Sequence, residues 1–126
     1  MTGKLKPIGF YCDTEYGVSM QPTLAGSIGK FSGNTEGIVS YLRAGHHYEV
    51  SGSGFRDECH PEKPVIGALS IQTDGVWIWP SSYPYYVENY QAEVPDDLLR
   101  LAEACDWVPP SFSDDVDFED FLPFEE

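Results

Sequence analysis

Positive charge is scarce in this chain. Its 126 residues hold seven Lys and Arg against twenty-one Asp and Glu, a formal charge of −14, and no basic residue follows Arg100. A charge so far from zero repels nucleic acid and anionic membrane and speeds encounter with basic surfaces, so the expected partner is a basic protein, with no direct nucleic-acid binding. Cysteine is scarce too. Cys12, Cys59 and Cys105 form no Cys-x-x-Cys pair, which argues against a disulfide framework or a zinc ribbon and leaves reduced thiols as the expectation. No apolar run approaches the roughly 18 residues of a membrane span. Met1-Thr2-Gly3-Lys4-Leu5-Lys6 runs into Pro7 without an apolar segment, so no signal peptide is read and a cytoplasmic protein is expected. Gly-x-Gly-x-x-Gly, Walker A, His-Glu-x-x-His and Gly-x-Ser-x-Gly are all missing, and with them any motif for a cofactor, a nucleotide or a catalytic metal.

What the chain does have is material for a core. Hydrophobic residues make up 41% and aromatics 14%, too much for a disordered chain despite the charge, and the length suits one domain. Residues 1–110 read as a single globular α+β domain and 111–126 as an acidic, Phe-rich C-terminal tail. The expected fold is a small antiparallel sheet centred on a 65–79 β-hairpin, with about three helices packed on it.

Pro7 to Cys12 reads as a short first strand, and Asp13 to Gly33, rich in Gly, Ser, Thr and Pro, mostly as loop. Asn34 is a good N-cap for a helix whose stripe is Ile38, Val39, Tyr41 and Leu42, with Arg43 in the last turn and Gly45 at the exit. His46 to Val50 suits a strand and Ser51 to Pro64 an exposed connection. Val65 to Thr73 and Val76 to Trp79 flank Asp74-Gly75, a dipeptide that favours a two-residue type I′ hairpin. That turn pairs Thr73 with Val76, Ile71 with Ile78, Gln72 with Trp77 and Ser70 with Trp79. It makes the aliphatic face core and requires the mixed Trp, Ser and Gln face to be covered or to serve as a semi-exposed aromatic surface. Ser81 or Ser82 caps a second helix with Tyr83, Tyr86, Val87 and Tyr90 on one stripe, and a third starts at Pro95 with Asp96 and Asp97 in its first turn.

Chemistry-bearing residues are few. His46-His47 and Cys59-His60 are adjacent pairs, and neighbours on a strand point to opposite faces, so no zinc spacing results; solvated histidines and a buried thiol are the simpler reading. A Cys-His nucleophile lacks a visible orienting group and oxyanion hole. The abundant carboxylates lie in polar runs, where a perturbed acid is not expected. No catalytic, metal or cofactor residue is therefore assigned. The six aromatics Trp77, Trp79, Tyr83, Tyr85, Tyr86 and Tyr90 suit a core first and a protein interface second.

Tyr41-Leu42-Arg43-Ala44-Gly45, the run from Gly67 through Leu69-Ser70-Ile71-Gln72-Thr73-Asp74-Gly75-Val76-Trp77-Ile78-Trp79-Pro80 to Ser82, then Tyr85-Tyr86-Val87, Tyr90 and Val94-Pro95 resemble small acidic bacterial proteins. Several of those look like immunity proteins encoded beside polymorphic toxins. The resemblance covers roughly residues 38–108. It implies an inhibitor that occludes a basic toxin domain, with no catalytic residue to carry over. The expected contacts are Asp114, Asp115, Asp117, Glu119 and Asp120 for steering and Trp77 and Trp79 as anchors. The competing expectation is a nucleic-acid mimic that blocks a DNA-binding protein; a small-ligand protein or enzyme comes third and requires a deep polar pocket. Oligomeric state is not legible.

Overall fold

The computed structural model describes residues 5–14 and 21–110, with backbone only for 48–53. In chain order the elements are β1 (Lys6–Pro7), α1 (Leu24–Ser27), α2 (Thr35–Arg43), β2 (His46–Arg56), β3 (Val65–Thr73), β4 (Trp77–Pro80), α3 (Ser82–Tyr90) and α4 (Asp96–Ala104). The architecture is α+β, as the sequence leads one to expect. Its sheet has the order β1-β4-β3-β2 and is antiparallel except at β1. That two-residue strand lies parallel to β4, with Lys6 N–H donating to Val76 O at 2.8 Å and Ile8 N–H to Ile78 O at 3.0 Å. The expected first strand, 7–12, thus shrinks and shifts, and the sheet is mixed.

The helices start where local chemistry tells them to. Asn34 Oδ1 accepts from Gly37 N–H at 3.0 Å, satisfying one of the first-turn amides that no helical carbonyl reaches. Behind that cap α2 buries Ile38, Val39, Tyr41 and Leu42, the expected stripe. α4 carries Asp96 and Asp97 in its first turn, where the helix dipole favours anions. It closes through left-handed Asp106 and Trp107, with Trp107 N–H on Ala102 O at 2.9 Å. Ser81 precedes α3 without capping it. Its hydroxyl donates to Ala68 O and accepts from Ser70 N–H, both at 3.0 Å, so it extends the edge of β3 instead. Within the stretch expected to be loop, α1 forms one turn on Thr23 Oγ1, which accepts from Gly26 N–H at 3.1 Å.

Two strand expectations are corrected. β2 continues through 51–56, with register irregularities between His47 and Glu49, Val50 and Gly54, and Phe55 and Arg56, so the connection begins only at Asp57. Pairing with the nine-residue β3 outweighs the weak strand propensity of Gly52 and Gly54. The hairpin turn is also wider than a type I′ turn. Thr73 pairs with Ile78, Gln72 with Trp79 and Ile71 with Pro80. Polar side chains decide this: Asp74 Oδ1 accepts from Val76 N–H (2.9 Å) and Trp77 N–H (2.7 Å), while Thr73 Oγ1 accepts from Gly75 N–H (3.0 Å) and donates to Trp77 O (2.7 Å). Such side-chain bonds stand in for the backbone pairing of a tight turn. Gly75, at φ +90°, supplies the left-handed position. Because the register moves by two, every side chain keeps the face expected for it.

That face assignment locates the core. One apolar cluster unites residues of all four helices with Trp77 and Trp79, so the mixed Trp, Ser and Gln face is the one the helices cover. Its polar groups finish α2: Gln72 Nε2 donates to Arg43 O and Gly45 O, each at 3.1 Å, and Trp79 Nε1 donates to Leu42 O at 3.2 Å. Carbonyls at and just past the end of α2 are thereby bonded from the sheet. A Cβ on Gly45 would come within 2.5 Å of the Trp79 ring, so this approach needs glycine. Among the described residues no helix is long and apolar enough to cross a membrane.

Candidate functional site

The two tryptophans expected as partner anchors are structural. Trp79 is fully buried and Trp77 8% exposed, both inside the helix-covered cluster, and Lys6 Nζ lies 5.3 Å from the Trp77 ring centroid. Neither indole is presented to a partner, because the sheet needs both to pack its helices. The five tail acids, Asp114, Asp115, Asp117, Glu119 and Asp120, lie outside the described residues.

Within the described body, exposed acids gather along α4 and its flanks. Glu93, Asp96, Asp97, Glu103 and Asp106 are all exposed and share that stretch with a single base, Arg100. The ion pairs among the described residues lie elsewhere. Arg43 meets Glu88 at 2.8 Å and Lys63 meets Glu58 at 3.3 Å. The first pair spans an open groove of about 690 Å³ between α2 and α3, lined also by Thr35, Glu36, Val39 and Ser40. With both partners about half exposed, it adds little to stability, on the order of 0.5 kcal/mol.

The most distinctive polar constellation is one that sequence reasoning missed. Asp57, 2% exposed, opens the connection between β2 and β3. Its Oδ2 accepts from the hydroxyls of Tyr85 and Tyr90, each at 2.7 Å, and its Oδ1 from Cys59 N–H at 2.9 Å. Burial pushes its carboxyl upward, but the two phenols and the amides of Cys59 and His60 outweigh it and hold the group below its ordinary value. Tyr86 completes the seam, donating to Arg56 O at 2.9 Å and accepting from Glu58 N–H at 3.0 Å. The rings of Tyr85, Tyr86 and Tyr90 pack at centroid distances of 5.6 to 6.3 Å, and Phe55 meets Tyr85 edge-on at 5.9 Å.

Chemically this arrangement fastens rather than reacts. The bond to Asp57 pushes the Tyr90 phenol up to about 12, and burial does the same for Tyr86; Tyr85 is raised further, again by its bond to Asp57. All three stay protonated donors at neutral pH while Asp57 stays an acceptor, so no proton is poised to move. The Cys59 thiol is raised by burial and by the charges of Asp57, Asp13 and Glu58, which keeps it a thiol and a poor nucleophile. His60 Nδ1, which a Cys-His site would need, accepts from Glu62 N–H at 3.1 Å. Among the described residues no three His, Cys, Asp or Glu side chains converge to hold a metal ion. The available signal was the Tyr85, Tyr86, Tyr90 spacing on one helix, which says that phenols gather but not which carboxylate they meet.

No family model, curated protein or solved structure matches the chain.

Proposed function

We propose that this chain is an immunity-type protein: it binds a basic bacterial toxin domain in the cytoplasm and occludes its active site, acting by contact and without a cofactor. The observation that carries the reading is charge placement. Half of the net charge of −14 falls on residues 111–126, with seven acids and no base, and the folded body adds the exposed acids of 93–106 beside Arg100 alone. Acids of one sign raise the encounter rate with a basic surface and disfavour wrong partners. The sequence resemblance to immunity proteins supports the same reading. With Trp77 and Trp79 committed to the core, the contact depends on acids and not on indole anchors.

The test is affinity capture from the source cells at low and high salt, with a nuclease-treated duplicate, followed by co-expression. The expected result is one basic polypeptide, encoded beside this gene, toxic alone and harmless when this chain is present, whose association slows as salt rises. Capture of a DNA-binding enzyme that duplex DNA displaces would replace this reading with nucleic-acid mimicry.

A further inference from the structure

The open groove between α2 and α3 carries charge on both of its walls. Glu36, Ser40 and Arg43 stand at i, i+4 and i+7 on α2, one strip of that helix, and Glu88 of α3 lines the same groove. Arg43 shows what the groove accepts. Its Nη2 donates to Glu88 Oε1 at 2.8 Å and its Nη1 to Oε2 at 3.4 Å, the two-pronged contact of a guanidinium with a carboxylate. An ionised carboxylate has about four acceptor positions, so Glu88 keeps room for a second donor. Glu36 makes no ion pair among the described residues. Two carboxylates against one guanidinium leave the walls negative, in a chain whose net charge is −14.

We propose that this groove receives a segment of the basic partner through two arginine side chains, one on Glu36 and one sharing Glu88 with Arg43. The inference rests on the reading that the partner is basic, and adds where the folded body grips it. Charge selects the occupant. An anion would meet Arg43 but also both carboxylates and the field of the whole chain. An apolar ligand finds only Val39, 4% exposed, and the methyl of Ala44. Arginine suits both parts: its methylene stem lies on those apolar groups while its head stays at the wall, and its planar fork repeats the contact that Arg43 already makes. Spacing narrows the segment further. Glu36 and Arg43 are two turns apart, about 10 Å along the helix, and an extended Arg-x-x-Arg stretch spans that distance at about 3.4 Å per residue.

The experiment is an NMR titration of the isotope-labelled full chain with the capped peptide Arg-Gly-Gly-Arg. Saturating shifts in the amides of 35–44 and around Glu88 are expected, and Glu36→Gln and Glu88→Gln should each weaken binding about threefold. Both glutamates are exposed, so these variants keep the fold. A control chain with Asp96→Asn and Asp97→Asn loses twice the charge, from α4, and should weaken binding less than either. A control loss as large as the groove variants' would overturn the proposal, because the overall field would then account for the binding. So would shifts confined to residues outside α2 and α3, or an effect of Glu88→Gln without one of Glu36→Gln, which leaves the Arg43 pair as a tether between helices. The two readings separate cleanly. A captured toxin that binds the Glu36→Gln, Glu88→Gln chain as tightly as the parent overturns the groove and keeps the immunity reading. Absence of any captured toxin, with the peptide still seated on α2, removes the immunity reading and keeps the groove.

Discussion

Asp57 and Asp74 are both buried carboxylates that accept from a phenol and from nearby amides, but they are built from different ranges of sequence. Asp74, 3% exposed, takes two of its three donors from residues two and three positions on and one from Tyr41 of α2 at 2.5 Å. Asp57 takes both of its phenols from α3, 28 and 33 positions away. The first shapes a turn and docks it on a helix; the second ties the connection after β2 to a helix far along the chain. Donors also differ in setting. Tyr41 is fully buried, whereas Tyr85 and Tyr90 are partly exposed and can turn to water when the carboxylate is lost.

The largest expected effect follows from that contrast. Asp74→Ala leaves Val76 N–H, Trp77 N–H and the Tyr41 hydroxyl without an acceptor and should cost about 4 kcal/mol, against about 2 kcal/mol for Asp57→Ala. Urea unfolding monitored by tryptophan fluorescence measures both; equal losses would break the distinction between a turn carboxylate held by a fully buried phenol and a connection carboxylate held by partly exposed ones.

Removing single phenols sharpens it. Tyr41→Phe deletes a buried hydrogen bond to a carboxylate and should cost about 2 kcal/mol. Tyr90→Phe leaves Asp57 bonded to Tyr85 and to backbone amides and should destabilise less, while hydrogen exchange in 57–64 rises. A Tyr90→Phe loss as large as that of Tyr41→Phe would mean that the two clamps are equivalent.

The smallest effects come from pH. Asp57 is depressed below its ordinary 3.8, so the stability it contributes is complete above that pH and is lost as pH falls through the lower folded value. The drop in stability on going from about pH 6 to about pH 3 should therefore be smaller in Asp57→Ala than in the parent chain. Tyr86 and Tyr90 are raised from 10.0 to about 12; their contribution is complete below pH 10.0 and lost as pH rises through about 12. Tyrosinate absorbance should show these phenols ionising only as the fold opens. Ionisation near pH 10 with the fold intact would dissolve the Asp57 clamp as drawn.

Legibility followed range. α2 could be read in full, because Asn34, the Ile38 to Leu42 stripe and Arg43 act within a few residues of one another. The α3 stripe and the acidic first turn of α4 were visible for the same reason. The hairpin was half legible: its existence and the face of each side chain were right, but the register was wrong, since Asp-Gly propensity cannot reveal that the Asp74 carboxylate will be claimed by two amides and by Tyr41. The parallel pairing of β1 left no mark in a two-residue stretch. Trp77 and Trp79 looked like candidate anchors because composition cannot distinguish an indole under a helix from one facing a partner.

By itself, then, the sequence determined the three longer helices, the strand from Val65 to Thr73, the alternation of faces and a net charge of −14, because caps, periodicity and ionisation are set by neighbours in the chain. Only the tertiary structure decided which sheet face meets the helices, which carbonyls Gln72 and Trp79 cap, and that Tyr85 and Tyr90 close on Asp57. Those contacts join residues tens of positions apart, and their energies exist only once the intervening chain has brought them together and excluded water.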